Sequence, residues 1–95
     1  MRVISQKGMP VMTDIPYEKV VISQSMIEPN KIVAWDFFGG EDAIILMAEY
    51  STPEKAEKAM QMLHSYYGDY MIEKVYKQEI RSMWPVFQFP QEDEI

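Results

Sequence analysis

Residues Ser51 to Tyr67 read STPEKAEKAMQMLHSYY, and the spacing of their apolar members predicts an amphipathic helix. Ala56, Ala59, Met60, Leu63, Tyr66 and Tyr67 recur at intervals of three and four, while Glu57, Lys58, Gln61, His64 and Ser65 fall on the other faces. Ser51 or Thr52 suits the N-cap, and Pro53 suits the first turn, where a missing N–H costs nothing. Glu54 complements the positive end of the helix dipole and stands four residues before Lys58, the favourable orientation for an ion pair. Gly68 is the expected C-cap. The remainder of the chain is then expected to cover the apolar stripe.

Working back towards the N-terminus, Ala43 to Tyr50 (AIILMAEY) is an almost unbroken apolar run, as expected of a central strand covered on both faces. The helix supplies one cover, and a second subunit is the expected other. Lys31 to Phe38 (KIVAWDFF) is β-branched and aromatic, with Val33, Trp35 and Phe37 on one face and Ile32, Ala34, Asp36 and Phe38 on the other. Gly39-Gly40-Glu41-Asp42 closes a hairpin between these two strands. Glu28-Pro29-Asn30-Lys31 has Pro and Asn where a tight turn wants them, so Tyr17 to Ser25 is expected to pair antiparallel with Lys31 to Phe38. Arg2 to Gln6 reads as a first strand ending at a Lys7-Gly8 turn. Met9 to Ile15 carries Pro10 and is either a loop or a short edge strand. Beyond Gly68, Asp69 to Ser82 fits a second short helix, and Trp84 to Pro90 an edge strand bracketed by Pro85 and Pro90. The fold class expected is α+β: an antiparallel sheet of four to five strands packed by one long helix after the fourth strand, with a second short helix.

Ninety-five residues, 47% hydrophobic, suffice for one small domain, placed over residues 1–90, with Gln91 to Ile95 as a solvated, mobile acidic tail. So small a core favours self-association, and a homo-oligomer is expected. The chain has no cysteine, which removes thiolate metal sites and a cysteine nucleophile and fits a reducing compartment. MRVISQKG has no long apolar core after its charges and no apolar run approaches a membrane span, so neither a signal peptide nor a membrane partner is expected, and the location expected is cytoplasmic. The net charge is −6, with Glu92, Asp93 and Glu94 at the end of the chain. Such a balance disfavours nucleic acid, because duplex affinity rests on Lys and Arg displacing counterions.

Four segments, MRVISQ, DIPYE, AEYSTPEKAEKAMQML and VFQFPQEDEI, together resemble an uncharacterised group of small prophage and mobile-element proteins of Firmicutes. The likeness spans nearly the whole chain outside Gly68 to Trp84, where proteins of this group often carry a longer segment, and its motifs name no activity. It implies a phage or prophage accessory protein acting in the host cytoplasm. A small sheet followed by its helices, assembled as an oligomer, is also similar in architecture to the phage Thoeris anti-defence sponges, which capture cyclic nucleotide-like signals. Fold does not fix function, and no ligand residue is carried over from that likeness.

The candidate chemistry is sparse. His64, the only histidine, lies on the helix face shared with Glu57 and Gln61 and reads as a favourable charge near a helix end. No G-x-S-x-G elbow supports a Ser–His–Asp set. Glu41-Asp42 and Glu92-Asp93-Glu94 lack the ligand spacing of a calcium loop, and Gly39-Gly40 lacks the rest of a phosphate loop, so no metal or cofactor is expected. Arg2 and Arg81 are the only arginines, and the guanidinium fork suits phosphate. Beside Trp84, Phe87 or Phe89, on whose rings a base could stack, they are the expected ligand-binding residues. Met62 lies off the apolar stripe as a candidate contact residue. The function expected is non-enzymatic: a counter-defence sponge for a small cyclic nucleotide signal. The alternatives are an acidic inhibitor that imitates nucleic acid towards a host defence nuclease, and a purely structural or interaction role.

Overall fold

The computed structural model describes residues 1–9, 12–35, 44–72 and 86–95. Within them the chain runs β1 (Arg2–Ile4), β2 (Asp14–Pro16), β3 (Val21–Gln24), β4 (Lys31–Trp35), β5 (Ile45–Glu49), α1 (Pro53–Ile72) and β6 (Val86–Gln88), with 3-10 turns at Tyr17–Lys19 and Glu92–Glu94. The architecture is α+β, as expected. The strands form two sheets of three, ordered β2-β1-β6 and β3-β4-β5, where a single sheet of four to five was expected.

In the first sheet β1 is central, antiparallel to β2 (Val3 opposite Ile15) and parallel to β6 (Val3 opposite Phe87). Lys7-Gly8 turns the chain away, and Gly8 takes φ +96°, a left-handed conformation that glycine adopts without steric cost. Of the Met9 to Ile15 stretch, Asp14 and Ile15 belong to the edge strand β2 while Pro10 and Val11 lie outside the described residues, and Pro16 ends the strand, where it withholds no ladder hydrogen bond. β6 is the expected edge strand at the opposite side. Tyr17 to Lys19 does not continue into a strand: following Pro16 it makes a 3-10 turn, with the Tyr17 N–H bonded to the Met1 carbonyl at 2.9 Å.

The second sheet is antiparallel throughout. The Glu28–Lys31 turn closes as expected, Lys31 N–H donating to Glu28 O at 2.9 Å. β5, however, is at an edge and not at the centre. Its consecutive buried residues have another cause. Ile32 pairs with Ala48 and Val33 with Leu46, so Met47 is the extra residue of a bulge. A bulge turns two successive side chains to one side, and Met47 and Ala48 are both fully buried with Ile32.

α1 begins with Thr52 Oγ1 accepting from the Lys55 N–H at 3.3 Å, an N-cap of the expected kind. It runs through Gly68 to Ile72, so Gly68 is not its C-cap. A mid-helix glycine costs about 1 kcal/mol against alanine, and burial of Tyr70 on the same helix, its ring beside Tyr67, offsets it. The helix lays Ala56, Ala59, Met60 and Leu63 against Ile32, Ala34, Met47 and Ala48, and Val3, Phe87 and Phe89 complete the core from the first sheet. α1 takes in Asp69 to Ile72, the first residues of the expected second helix (Asp69 to Ser82); the rest of that stretch, the end of the Lys31 to Phe38 strand and the Gly39–Asp42 hairpin lie outside the described residues.

Candidate binding groove

The hairpin of β3 and β4 pairs Val21 with Trp35 and Ser23 with Val33. Because side chains alternate along a strand, these four point one way and Ile22, Ile32 and Ala34 the other. α1 covers the second set, leaving Ile32 and Ala34 without exposure. The first set faces outward, and Trp35 is 46% exposed. After β3 the chain makes a tight serine turn: Ser25 Oγ accepts from the N–H groups of Ile27 and Glu28, each at 3.2 Å. That turn holds Met26 and Ile27 in solvent, 97% and 91% exposed.

Together with Ile44, these residues line a groove of about 300 Å³. Its floor is Ser23, Val33 and Trp35, and its rim Gln24, Ser25, Met26 and Ile27. Gln24 is already engaged, its Nε2 donating to the carbonyls of Pro29 and Pro53 at 2.9 and 3.2 Å. Among the described residues no charged side chain lines the groove. Lys31 lies at the foot of the turn, where a 2.6 Å bond to Glu28 raises its pKa and holds its ammonium to that carboxylate.

The arginine and aromatic residues expected to share a pocket stand elsewhere. Arg2 lies at the β1–β2 edge, its Nε on Asp14 Oδ1 at 2.7 Å and its Nη2 on the Asp14 carbonyl at 2.9 Å. Phe87 lies opposite Val3, one residue out of step with Arg2, so its ring and the guanidinium are on opposite faces of the sheet. Phe87 and Phe89 do meet each other, edge to face with centroids 5.4 Å apart, but inside the core, where Phe87 also packs on Tyr66. Arg81 and Trp84 lie outside the described residues. His64 is exposed on α1, and among the described residues no three His, Asp or Glu side chains gather as metal ligands.

A polar seam joins the two sheets on the far side of the core. The Gln6 N–H donates to Met47 O at 2.7 Å across the outer edge of β5. The buried Gln6 side chain accepts from the Glu49 N–H at 3.1 Å and donates to Pro90 O at 3.0 Å. The Tyr50 hydroxyl donates to the same carbonyl at 2.7 Å, and burial, with the nearby Glu92 and Glu94 charges, pushes its ionisation far up. The residues expected as a solvated tail continue from there. Gln91 and Glu94 form a capping box, Gln91 Nε2 donates to Lys7 O at 2.8 Å, and Ile95 packs against the core. Glu92 receives the Ser51 N–H on both carboxylate oxygens at 3.2 Å and Lys55 Nζ at 3.1 Å. The bonds to Ser51 and then Lys55 hold its pKa below the usual glutamate value, against the opposing effect of burial.

Met26 and Ile27 were not singled out from the sequence, although two large apolar residues between a serine and a Glu-Pro turn are a usable signal for a presented contact. The chain matches no family model, no curated protein and no solved structure with which it was compared. No helix among the described residues is long and apolar enough to cross a membrane.

Proposed function

We propose that the chain is a non-enzymatic binding protein that takes a small, flat, largely uncharged group in the groove on the outer face of β3 and β4. One observation carries this reading: Trp35, Met26, Ile27 and Ile44, all exposed, converge on one concavity of about 300 Å³ whose described lining carries no charge. That volume is at the lower end of small-molecule sites, about 300–1,000 Å³, which are mostly apolar with a few placed polar groups. Trp35 offers a face for stacking, and the Ser23 and Ser25 hydroxyls offer orientation.

In its specific form the occupant is the base of a small nucleotide signal and the protein is a phage or prophage sponge, a reading that joins the sequence resemblance to prophage accessory proteins with the architectural likeness to the sponges. A described lining without lysine or arginine suits the base and leaves any phosphate directed to solvent. Inhibition by acidic mimicry finds less support, because Glu92 spends its carboxylate on Ser51 and Lys55. The test is a mass-spectrometric screen of cell nucleotides and other metabolites retained by the purified protein, repeated with Trp35→Ala. The expected result is a retained aromatic compound whose retention Trp35→Ala abolishes without altering the thermal melt. Equal retention by parent and variant overturns the assignment.

A further inference from the structure

We propose that two copies of this chain join along the outer edge of β3, antiparallel about a two-fold axis at Ser23, so that two three-stranded sheets become one of six. The pairing stands independently of what fills the groove; that the two grooves then form one shared recognition face rests on the binding reading above.

The case begins with the sheet edges. An open edge is a template for another strand unless proline, charge, a bulge or a covering group guards it. β2 ends in Pro16 and carries Asp14 bonded to Arg2. β6 lies between Pro85 and Pro90. The outer edge of β5 is bulged and receives the backbone and side chain of Gln6. β3, Val-Ile-Ser-Gln, has no proline, no charge and no bulge.

Its outward groups follow from the hairpin. Ser25 N–H donates to Lys31 O, which makes Ser25 and Lys31 a hydrogen-bonded pair, and alternation makes Ser23–Val33 and Val21–Trp35 the next two. Ile22 and Gln24 therefore direct their N–H and C=O groups away from β4. No backbone bond between the described residues, apart from those within the sheets and helices, reaches these groups. A two-fold axis at Ser23 sets Ile22 of each copy opposite Gln24 of the other, and each such pair exchanges both of its hydrogen bonds. The only residue meeting itself is Ser23, small and neutral, so a chain of net charge −6 makes this contact without placing like charges on the axis. The same register sets Met26, almost fully exposed in one copy, across from the half-buried Val20 of the other. An isologous contact of this kind closes on itself as a dimer.

Light scattering across micromolar concentrations, with amide exchange followed residue by residue, tests the pairing. The expected mass is twice 11.2 kDa, falling by half on dilution, with the Ile22 and Gln24 amides protected in the dimer and losing that protection as it dissociates. Ser23→Lys, which brings two like charges onto the axis, is expected to give the monomer mass at every concentration. Ile22→Pro, which removes an edge donor, is expected to do the same, and because the exchange readout needs no variant, a failure of either variant to fold leaves the test intact. A monomeric parent, or a dimer in which the Ile22 and Gln24 amides exchange unprotected, overturns the proposal. These readings are independent of the metabolite screen: a dimer that retains nothing keeps the pairing and discards the groove's role, and a monomer that retains a ligand does the opposite.

Discussion

Around Pro90 the chain buries polar groups and satisfies them, whereas on the outer face of β3 and β4 it leaves large apolar groups in water. In the first region Gln6 and Tyr50 converge on one carbonyl, and among the described residues no buried side-chain nitrogen or oxygen lacks a partner. In the second, Met26 and Ile27 stand in solvent beside a half-exposed Trp35. Burying an amide is tolerable only when its hydrogen bonds are remade, so the seam at Pro90 answers a structural need: it ties the end of the chain to both sheets. Exposed apolar side chains contribute little to folding, so the groove has no such explanation. The contrast separates what holds the molecule together from what is available for contact.

The largest expected effect lies where the seam meets the core. Phe89 is 1% exposed, and its N–H donates to Ile4 O at 3.2 Å. Phe89→Ala is expected to lower the unfolding free energy by about 3–5 kcal/mol in urea titrations, from lost transfer energy and the cavity left behind. A loss below about 1 kcal/mol would mean that the terminal segment does not close the core. Gln6→Ala comes next, at about 1–3 kcal/mol, because it removes the acceptor of Glu49 N–H and one donor to Pro90 O where water cannot replace them easily. Gln6→Leu, which keeps the volume, is expected to recover little of the loss. A full recovery would show that Gln6 acts by packing alone.

The helix was legible because its stripe is long and its N-terminal signals agree, and only its end was misplaced, since the burial of Tyr70 is a tertiary fact that Gly68 does not announce. The hairpin of β3 and β4 was legible from one turn. The order of strands was not: AIILM reads as a strand covered on both faces, and a single-residue bulge at Met47 produces the same run at an edge. Nor does local pattern reveal that β6 pairs parallel to β1, from the other end of the chain, or that one glutamine closes an edge. For the groove, alternation placed Val33 and Trp35 on one face, but both faces of KIVAW are apolar. Which face α1 would cover depends on packing, and it covers the one where Ala34 is small enough to let the helix lie close.

A smaller effect is expected at the outer end of the seam. The pKa of Glu92 is lowered in the folded chain by its bonds to Ser51 and Lys55, so the carboxylate binds protons less readily there than when unfolded. Its contribution is therefore present above the ordinary glutamate pKa and disappears as pH falls through the lowered folded value. Tyr50, its ionisation pushed up, stays neutral across this window. Melting temperatures of parent and Glu92→Gln are expected to differ at neutral pH and to converge in acid. Parallel curves at all pH values would show that the charge of Glu92 contributes nothing to holding the terminal turn.

The smallest effect on stability is expected from the double change Met26→Ser with Ile27→Ser, and it tests the contrast most sharply. At 97% and 91% exposure these side chains are already in water when the chain is folded, so unfolding transfers almost none of their surface. The serine turn that presents them relies on Ser25 Oγ and backbone N–H groups, none of which the substitutions touch. The unfolding free energy should stay within about 0.5 kcal/mol of the parent. The comparison belongs at a dilution where both are monomers by light scattering, because association would add a concentration-dependent stabilisation to the parent alone. Retention of the groove's ligand, by contrast, should be lost, since two of the four exposed apolar residues that line it are gone. If the variant instead loses more than about 1 kcal/mol as a monomer, Met26 and Ile27 are part of the fold's own packing, and the division between a structural seam and a contact surface fails.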